Sequence, residues 1–441
     1  MTTILAFLFV LGVLIFVHEL GHFLAARRHG VRVLTFSLGF GPKVFKVKRG
    51  DTEYCISAVP LGGYVKMAGE NPEDPRSGQP DEFLSKTKWQ RFQILFAGPA
   101  MNIILAVVVL AIVLGIRGVQ VATYVDEPAV IGSVVAGSPA ERAGLRRGDR
   151  ILKVASDRVE TWKDLDIAIG IRRPGRDISV TVLRDGQTMT TPVRPVAEGR
   201  YEVSDIGVLP NINPIITSVI AGDRAEQSGL KAGDIVLSVN DEPMATRQQL
   251  IDVISRNGGK TVRLRVRRGT EELTITGVPE QRGARGMMGF YISEPTKSFK
   301  PGPLEAVQLS IEHNIESSGL IFRTLAGLFT GETSVRQLQG PVGIAQLSGE
   351  SAQEGFISLL SLMAMLSINL GILNLMPVPV LDGGHILIMA LEGIARRDFS
   401  MQVKEKMLLA GFVVLMMLMV TVIYNDLTRI SWIERLMPWR N

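Results

Sequence analysis

The chain has 441 residues, enough for several domains, and 46% of them are hydrophobic. Its net charge of +5 is small and its basic residues are not gathered in one patch, which argues against a nucleic-acid-binding protein. The single cysteine, Cys55, excludes an intramolecular disulfide and a cysteine-rich zinc site.

Four apolar runs are each close to the roughly 20 residues that a helix needs to cross a bilayer. They are Ile4–Ala26, Ile94–Ile116, Ile357–Pro377 and Met407–Tyr424. The first run is not typical of a cleaved signal peptide, because no Lys or Arg precedes Arg27. We therefore predict a polytopic α-helical membrane protein with four transmembrane helices.

The distribution of Lys and Arg predicts the orientation of these helices. The connection between the first two runs is rich in basic residues, whereas no basic residue precedes the first run. The positive-inside rule places this connection, and the loop 385–406, in the cytoplasm. Both termini and residues 117–355 are then expected on the outer side.

The first apolar run contains the motif His-Glu-x-x-His at residues 18–22. In a helix, His18 and His22 project from one face, where two imidazoles can hold a zinc ion. Glu19 is placed to polarise the attacking water. Ionisable residues are costly inside a membrane, so the motif predicts a metal site.

A catalytic zinc site usually has a third protein ligand, and the segment after the third apolar run offers Asp382. Pro377 and Pro379 are expected to break the helix before it. At 1.5 Å per residue, His18 lies roughly 20 Å along a helix that starts at Ile4, in the cytoplasmic half of the bilayer. The third span runs in the same direction, so Asp382 is expected at a similar depth.

His385 is a rival for the third position. The site has zero net charge if Zn²⁺ is combined with two neutral imidazoles and the carboxylates of Asp382 and Glu19. An uncompensated charge would cost free energy in a medium of low dielectric. We therefore prefer Asp382.

Residues 33–68 contain short strand-like segments divided by glycines, among them Gly62-Gly63-Tyr64. They are predicted to form a small sheet that dips into the membrane beside the metal site. The alternative is a cytoplasmic hairpin unrelated to catalysis.

The second apolar run opens with a stretch of small residues that ends at Asn102. Small residues allow close helix packing. The sequence leaves two roles open for Asn102: packing between helices, or a direct role beside the metal.

An internal repeat lies between the second and third runs. The pattern Ala-x-x-x-Gly-Leu-x-x-Gly-Asp ends at Asp149 and again at Asp234, a displacement of 85 residues. It resembles PDZ domains of the bacterial type, which bind extended peptides by strand addition. In the second copy, Ile206, Gly207 and Val208 are expected to form the loop that binds a peptide carboxylate. At the corresponding position, the first copy has residues 122–125, which lack the glycine. We therefore expect the first copy to act mainly through its size and not by binding peptide.

The predicted domains follow from these features. They are 1–32, the first transmembrane helix with the His-Glu-x-x-His motif; 33–93, the sheet and a cytoplasmic loop; 94–116, the second transmembrane helix; 117–203 and 204–295, two periplasmic PDZ domains; 296–355, a connector of two amphipathic helices; 356–384, the third transmembrane helix with Leu-Asp-Gly-Gly; 385–406, a cytoplasmic loop; 407–425, the fourth transmembrane helix; and 426–441, a periplasmic tail.

Together, His-Glu-Leu-Gly-His, Leu-Asp-Gly-Gly-His and the two repeats resemble the site-2 protease family of intramembrane zinc metalloproteases over nearly the whole chain. The resemblance implies that His18, His22 and Asp382 bind zinc and that Glu19 is catalytic. By the same resemblance, Asn369, Asn374 and Pro377 hold the unwound substrate while the sheet pairs with its backbone.

The resemblance also implies a bacterial inner-membrane enzyme. It would cleave single-span membrane proteins, such as a previously trimmed anti-sigma factor in the sigma E stress response, and remnant signal peptides. Two alternatives stay open on the sequence: a zinc protease that trims lipidated C-termini, and a non-catalytic PDZ scaffold that senses misfolded envelope proteins.

Overall fold

A computed structural model describes residues 2–70, 78–198, 203–283, 285–293 and 295–428. Parts of the predicted cytoplasmic loop (71–77) and of the predicted C-terminal tail (429–441) lie outside the described residues. The helices are α1 (Thr2–Arg28), α2 (Lys88–Arg117), α3 (Pro139–Arg142), α4 (Trp162–Gly170), α5 (Arg224–Gln227), α6 (Arg247–Arg256), α7 (Pro303–Thr330), α8 (Pro341–Glu354), α9 (Phe356–Leu375), α10 (Asp382–Ile394) and α11 (Met401–Thr428).

Four of these helices, α1, α2, α9 and α11, are long and apolar enough to cross a membrane, which confirms the predicted number of spans. The chain divides into two compact bodies. The first comprises residues 1–118, 300–326 and 338–441, and contains all four spans. The second comprises residues 119–299 and 327–337.

In the first body, α2 packs against both α1 and α9. Glycines allow these helices to approach closely: a Cβ on Gly21 of α1 would collide with the Ala97 carbonyl of α2, and one on Gly371 of α9 would press on Ile103. Val10, Leu14, Val109, Leu359 and Met363 fill one of the apolar cores between the helices. This packing holds α1 and its motif against α2.

Residues 33–67 form a hairpin of two long strands, β1 (Val33–Arg49) and β2 (Thr52–Met67). Their pairing is divided into short segments, as predicted: residues 35–38 pair with both 53–56 and 63–66, and residues 43–49 pair with 52–57. The register shifts between Leu38 and Phe40 and between Phe40 and Lys43 span Gly39 and Gly41. At the base, Phe36 and Val65 are buried against Phe23 of α1. Towards the tip, Phe45 and Val47 are more than two-thirds exposed.

The third span ends close to the predicted position. The helix α9 ends at Leu375, because Met376 precedes a proline and adopts an extended conformation, so the predicted segment 356–384 contains the expected break. A separate helix, α10, starts at Asp382 and occupies part of the segment predicted as a cytoplasmic loop. Asp382 therefore lies in the first turn of a helix, where the helix dipole favours a carboxylate.

The predicted connector also differs. Its two expected amphipathic helices merge into the single helix α7, and a second helix, α8, follows. Ser310 of α7 donates a hydrogen bond to the Val107 carbonyl of α2 at 2.8 Å. At the start of α8, the buried carboxylate of Asp426 accepts hydrogen bonds from the amides of Gly340 and Gly343.

The second body contains the two repeats, each with its own apolar core. Its strands are β3 (Val119–Ala122), β4 (Ser133–Val134), β5 (Arg150–Val154), β6 (Asp157–Arg158), β7 (Ile178–Arg184), β8 (Gln187–Val193), β9 (Val196–Glu198), β10 (Val203–Asp205), β11 (Val208–Leu209), β12 (Ile215–Val219), β13 (Ile235–Val239), β14 (Glu242–Pro243), β15 (Val262–Arg268), β16 (Glu271–Gly277), β17 (Glu280–Arg282), β18 (Arg285–Met287), β19 (Phe290–Ser293) and β20 (Thr296–Phe299). In the first repeat, β5, β6, β7 and β8 form one sheet, and in the second, β12, β13, β15, β16 and β19 form another with β14 attached.

The boundary between the repeats lies later than residue 203. The strand β11 pairs with β4, and Ile206 and Val208 are buried in the core of the first repeat. The loop Ile206-Gly207-Val208 therefore belongs to the first repeat, although the sequence assigned it to the second. Its counterpart in the second repeat is Met288–Phe290, because Gly289 accepts a hydrogen bond from Ile220 as Gly207 does from Val135.

Candidate metal centre

The two histidines of α1 face the same side of the helix, as the four-residue spacing predicts. Their Nε2 atoms are 3.2 Å apart, and their rings are nearly perpendicular. Two imidazole nitrogens at this distance are arranged to bind one metal ion.

Asp382, in the first turn of α10, brings a carboxylate oxygen to the same point. Its Oδ2 is 3.3 Å from His18 Nε2 and 3.4 Å from His22 Nε2. His385 lies on the same helix but is not part of this group. The tertiary structure thus brings together Asp382, and not its rival, with the two histidines.

These separations fit a zinc ion. For zinc–ligand distances of about 2.0–2.1 Å, the edge of a tetrahedron is about 3.3 Å. The three donor atoms are 3.2–3.4 Å apart, so they match one triangular face of such a site. Three protein donors converge among the described residues, which is the number typical of catalytic rather than structural zinc sites.

Both imidazoles contact α2 through their other ring nitrogen. His22 Nδ1 lies 2.8 Å from the carbonyl oxygen of Ile94, and His18 Nδ1 lies 3.3 Å from Nδ2 of Asn102. The Nε2 atoms are therefore the ones that remain available to a metal. The approach of α2 depends on Gly98, because a Cβ at that position would overlap the His22 ring.

Glu19 is buried at 8% exposure and follows His18 directly in the helix, but it is not one of the three converging groups. It faces β2: a Cβ on Gly63 would come within 2.9 Å of Glu19 Cγ. The hairpin therefore reaches the group predicted to be catalytic, which favours the interpretation of the sheet as part of the site.

The other residues predicted to bind the substrate lie on the hairpin, on α9 and in the turn before α10. A Cβ on Gly62 would collide with the ring of Phe40, which stacks on Tyr64. Asn369 and Asn374 are half-buried on α9, and Pro377 is exposed in the turn before α10. Their roles stay predictions.

One contact of the site has no signal in the sequence. The carbonyl of Ile94 carries no residue-type signal, so only the fold reveals its contact with His22. Gly98 and Asn102 were visible as a small-residue stretch and a polar residue inside an apolar run, and that second signal points to the contact with His18.

Comparisons with known proteins match this chain over nearly its whole length. The model of the family described as Peptidase family M50 matches residues 6–418. A Salmonella typhi protein named regulator of sigma E protease is 33% identical over 449 residues, covering 96% of this chain and 98% of that protein. A Vibrio cholerae protein named putative zinc metalloprotease is 33% identical over 453 residues, with 97% and 98% covered. The Escherichia coli regulator of sigma-E protease RseP is 32% identical over 450 residues, with 96% and 98% covered.

Proposed function

The chain belongs to peptidase family M50 and is a zinc metalloendopeptidase, and on this basis we propose that it hydrolyses peptide bonds within the transmembrane segments of single-span membrane proteins. The observation that carries the proposal is the tetrahedral face formed by His18, His22 and Asp382. It is built by α1, a helix able to cross a membrane, and by the first turn of α10, which follows a second such helix, α9.

We assign the three converging residues as zinc ligands. When bound, the zinc ion supplies Lewis-acid polarisation of the scissile carbonyl and of the attacking water. Asp382 supplies one negative charge to the site, and the imidazoles bind as neutral groups through Nε2. His22 is buried and the side chains of His18 and Asp382 are mostly buried, which would limit the access of bulk water to the site.

Glu19 acts as the general base and then as the general acid. It takes a proton from the attacking water and passes it to the leaving amine, which releases the two peptide fragments. The carboxylate is suited to this role because it lies beside the ligands and does not itself belong to the converging set.

The hairpin supplies the backbone partner that an unwound substrate needs. Unpaired peptide groups cost several kcal/mol each in lipid, so a transmembrane helix opens only where its groups find new partners. Within the part of the chain that the structure describes, β1 and β2 pair with each other alone, which leaves an outer edge on each strand. Gly63 brings β2 against Glu19, so a substrate strand added there would lie beside the catalytic group.

The remaining assignments follow the orientation predicted from the basic residues. The protein is placed in a bacterial inner membrane, with both termini and the two repeats periplasmic and the metal centre in the cytoplasmic half of the bilayer. The repeats act as PDZ domains that admit substrates whose outer domain has been removed. Relatives carry the name regulator of sigma E protease, which supports an anti-sigma factor as substrate. Remnant signal peptides are a second class of substrate.

The alternative is a non-catalytic PDZ scaffold. A scaffold has no need for three metal-donor side chains at tetrahedral separations beside a buried glutamate, so the geometry favours the protease.

The test combines zinc analysis of the purified full-length protein with cleavage of a single-span reporter. Glu19→Gln is expected to retain one zinc ion per chain and to lose cleavage, whereas Asp382→Ala loses both. His385→Ala, outside the converging set, retains both. Full cleavage by the Glu19→Gln protein would overturn the mechanism, and a protein without zinc that still cuts would overturn the function.

A further inference from the structure

Asn102 is a buried amide in the middle of the helix packing. It lies on α2 with no exposed surface, and Ser367 of α9 donates a hydrogen bond to its backbone carbonyl at 2.7 Å. Its side chain points to α1, where Nδ2 lies 3.3 Å from His18 Nδ1. The other end of the amide, Oδ1, is buried without a hydrogen-bond partner among the described residues.

The chemistry of the metal site sets what His18 Nδ1 requires. His18 directs Nε2 at Asp382 and at the other histidine. An imidazole that binds a metal through Nε2 carries its proton on Nδ1, and that N–H needs an acceptor. His22 has such an acceptor in the carbonyl of Ile94.

An asparagine side chain offers an acceptor and a donor of nearly the same shape. If the amide turns by half a revolution, Oδ1 faces His18 Nδ1, so the N–H gains its acceptor and the orphaned oxygen gains its donor. We propose that Asn102 is a positioning residue for zinc binding: its Oδ1 accepts the Nδ1 proton of His18 and thereby holds the ring with Nε2 directed at the ion. This inference rests on the proposed function, since it assigns a role within the same site.

The proposal extends to the helix. Through Ile94 and Asn102, α2 provides both imidazoles with an acceptor two turns apart, although it supplies no ligand. The second span then serves to fix the tautomer of both ligands, in addition to packing between α1 and α9.

A role in packing alone would also bury Asn102, so the test uses variants that separate the two. Asn102→Leu keeps the size and the apolar packing but removes the acceptor. Asn102→Asp keeps an acceptor for the N–H and adds a charge. If Asn102 positions His18, Leu lowers zinc affinity about 10- to 100-fold and Asp retains it within a few-fold. If Asn102 only packs, Leu is harmless and Asp, as a buried charge, is the damaging change.

The measurement uses the full-length protein in detergent with the additional Glu19→Gln change, so that catalytic turnover does not affect the measured zinc affinity. Zinc affinity is obtained by competition with a chromophoric chelator, and the absorption of bound Co²⁺ reports the ligand field directly. Asn314→Leu is the matched control, because Asn314 is another buried asparagine of the first body whose Nδ2 donates to the Ser310 carbonyl. It is expected to leave the zinc affinity unchanged.

Equal zinc affinity in the wild type and in Asn102→Leu would overturn this inference and leave the protease proposal intact. A wild-type protein that binds no zinc would instead overturn the proposed function. A loss in Asn102→Asp with no loss in Asn102→Leu would assign Asn102 to packing.

Discussion

His22 on α1 and Gly98 on α2 are in direct contact, with no space between the imidazole and the glycine backbone for a further carbon atom. The ligand nitrogen itself lies over the glycine. The position of a metal ligand is therefore set by the absence of a side chain on a neighbouring helix.

The first prediction concerns this contact. Gly98→Ala is expected to displace the His22 ring and to lower zinc affinity at least 10-fold, although alanine is intrinsically the better helix former by about 1 kcal/mol. Gly115→Ala, on the same helix with open space around it, is the control and should bind zinc as the wild type does. Zinc competition measures both, and unchanged affinity in Gly98→Ala would contradict the contact.

The second prediction separates the hairpin from the metal. Gly63→Ala places a methyl group against Ile15 and Glu19 and pushes β2 away from α1. Zinc content should be retained, while cleavage of a single-span reporter should fall 10-fold or more. Val59→Ala, at an exposed position of the same strand, should change neither quantity. Loss of zinc from Gly63→Ala would show that the hairpin supports the ligands rather than the substrate.

The third prediction uses a pair of equivalent ion pairs. The guanidinium of Arg184 donates hydrogen bonds to the Asp149 carboxylate in the first repeat, and that of Arg268 donates to Asp234 in the second. The N···O distances are 2.6–2.8 Å. Burial by itself raises the pKa of Asp149 and of Asp234, but the guanidinium and a backbone amide outweigh it and hold each pKa below its usual value. Asp149→Asn should destabilise the first repeat, because a neutral amide replaces the buried carboxylate that accepts hydrogen bonds from Arg184 and from the Arg146 amide.

The pH dependence follows from the same shifts. A carboxylate with a depressed pKa in the folded state stabilises the fold above its unfolded pKa of about 3.9, and the stabilisation is lost as pH falls through the folded pKa. Both repeats should therefore lose stability below about pH 4. Hydrogen exchange of β5 and β13 in the full-length protein monitors each repeat, and Asp234→Asn serves as the reciprocal control. An Asp149→Asn protein with the wild-type acid profile in β5 would contradict the prediction.

The fourth prediction tests the boundary between the repeats. Gly207 has a φ of 76°, and a Cβ there would collide with Ser138. Gly207→Ala should cost at least about 1–2 kcal/mol and accelerate hydrogen exchange in β5 of the first repeat. Gly289→Ala, with the same φ of 76°, should act on β13 of the second. If the loop belonged to the second repeat, as the sequence suggested, Gly207→Ala would act on β13 instead.

Local patterns allowed much of this architecture to be predicted. The four spans follow from apolar length, and the shared face of His18 and His22 follows from the helical period. The predictions that failed depended on distant partners. The pairing of β11 with β4 joins Val208 to Val134, and nothing near residue 208 in the sequence indicates that strand as its neighbour. The prediction of two helices in place of α7 failed for a simpler reason: residues 316–320 contain no proline to end the first helix.

By itself, the sequence determined that α1 would carry two imidazoles and a carboxylate within five residues of a membrane helix. The tertiary structure decided that Asp382 rather than His385 lies beside the two imidazoles. It also placed Asn102 and the Ile94 carbonyl in contact with their Nδ1 atoms. The physical reason is that the helical period fixes which residues share a face within one segment, whereas contacts between helices depend on where small residues allow close approach. Around this site, the helices approach closely at Gly21, Gly98 and Gly371.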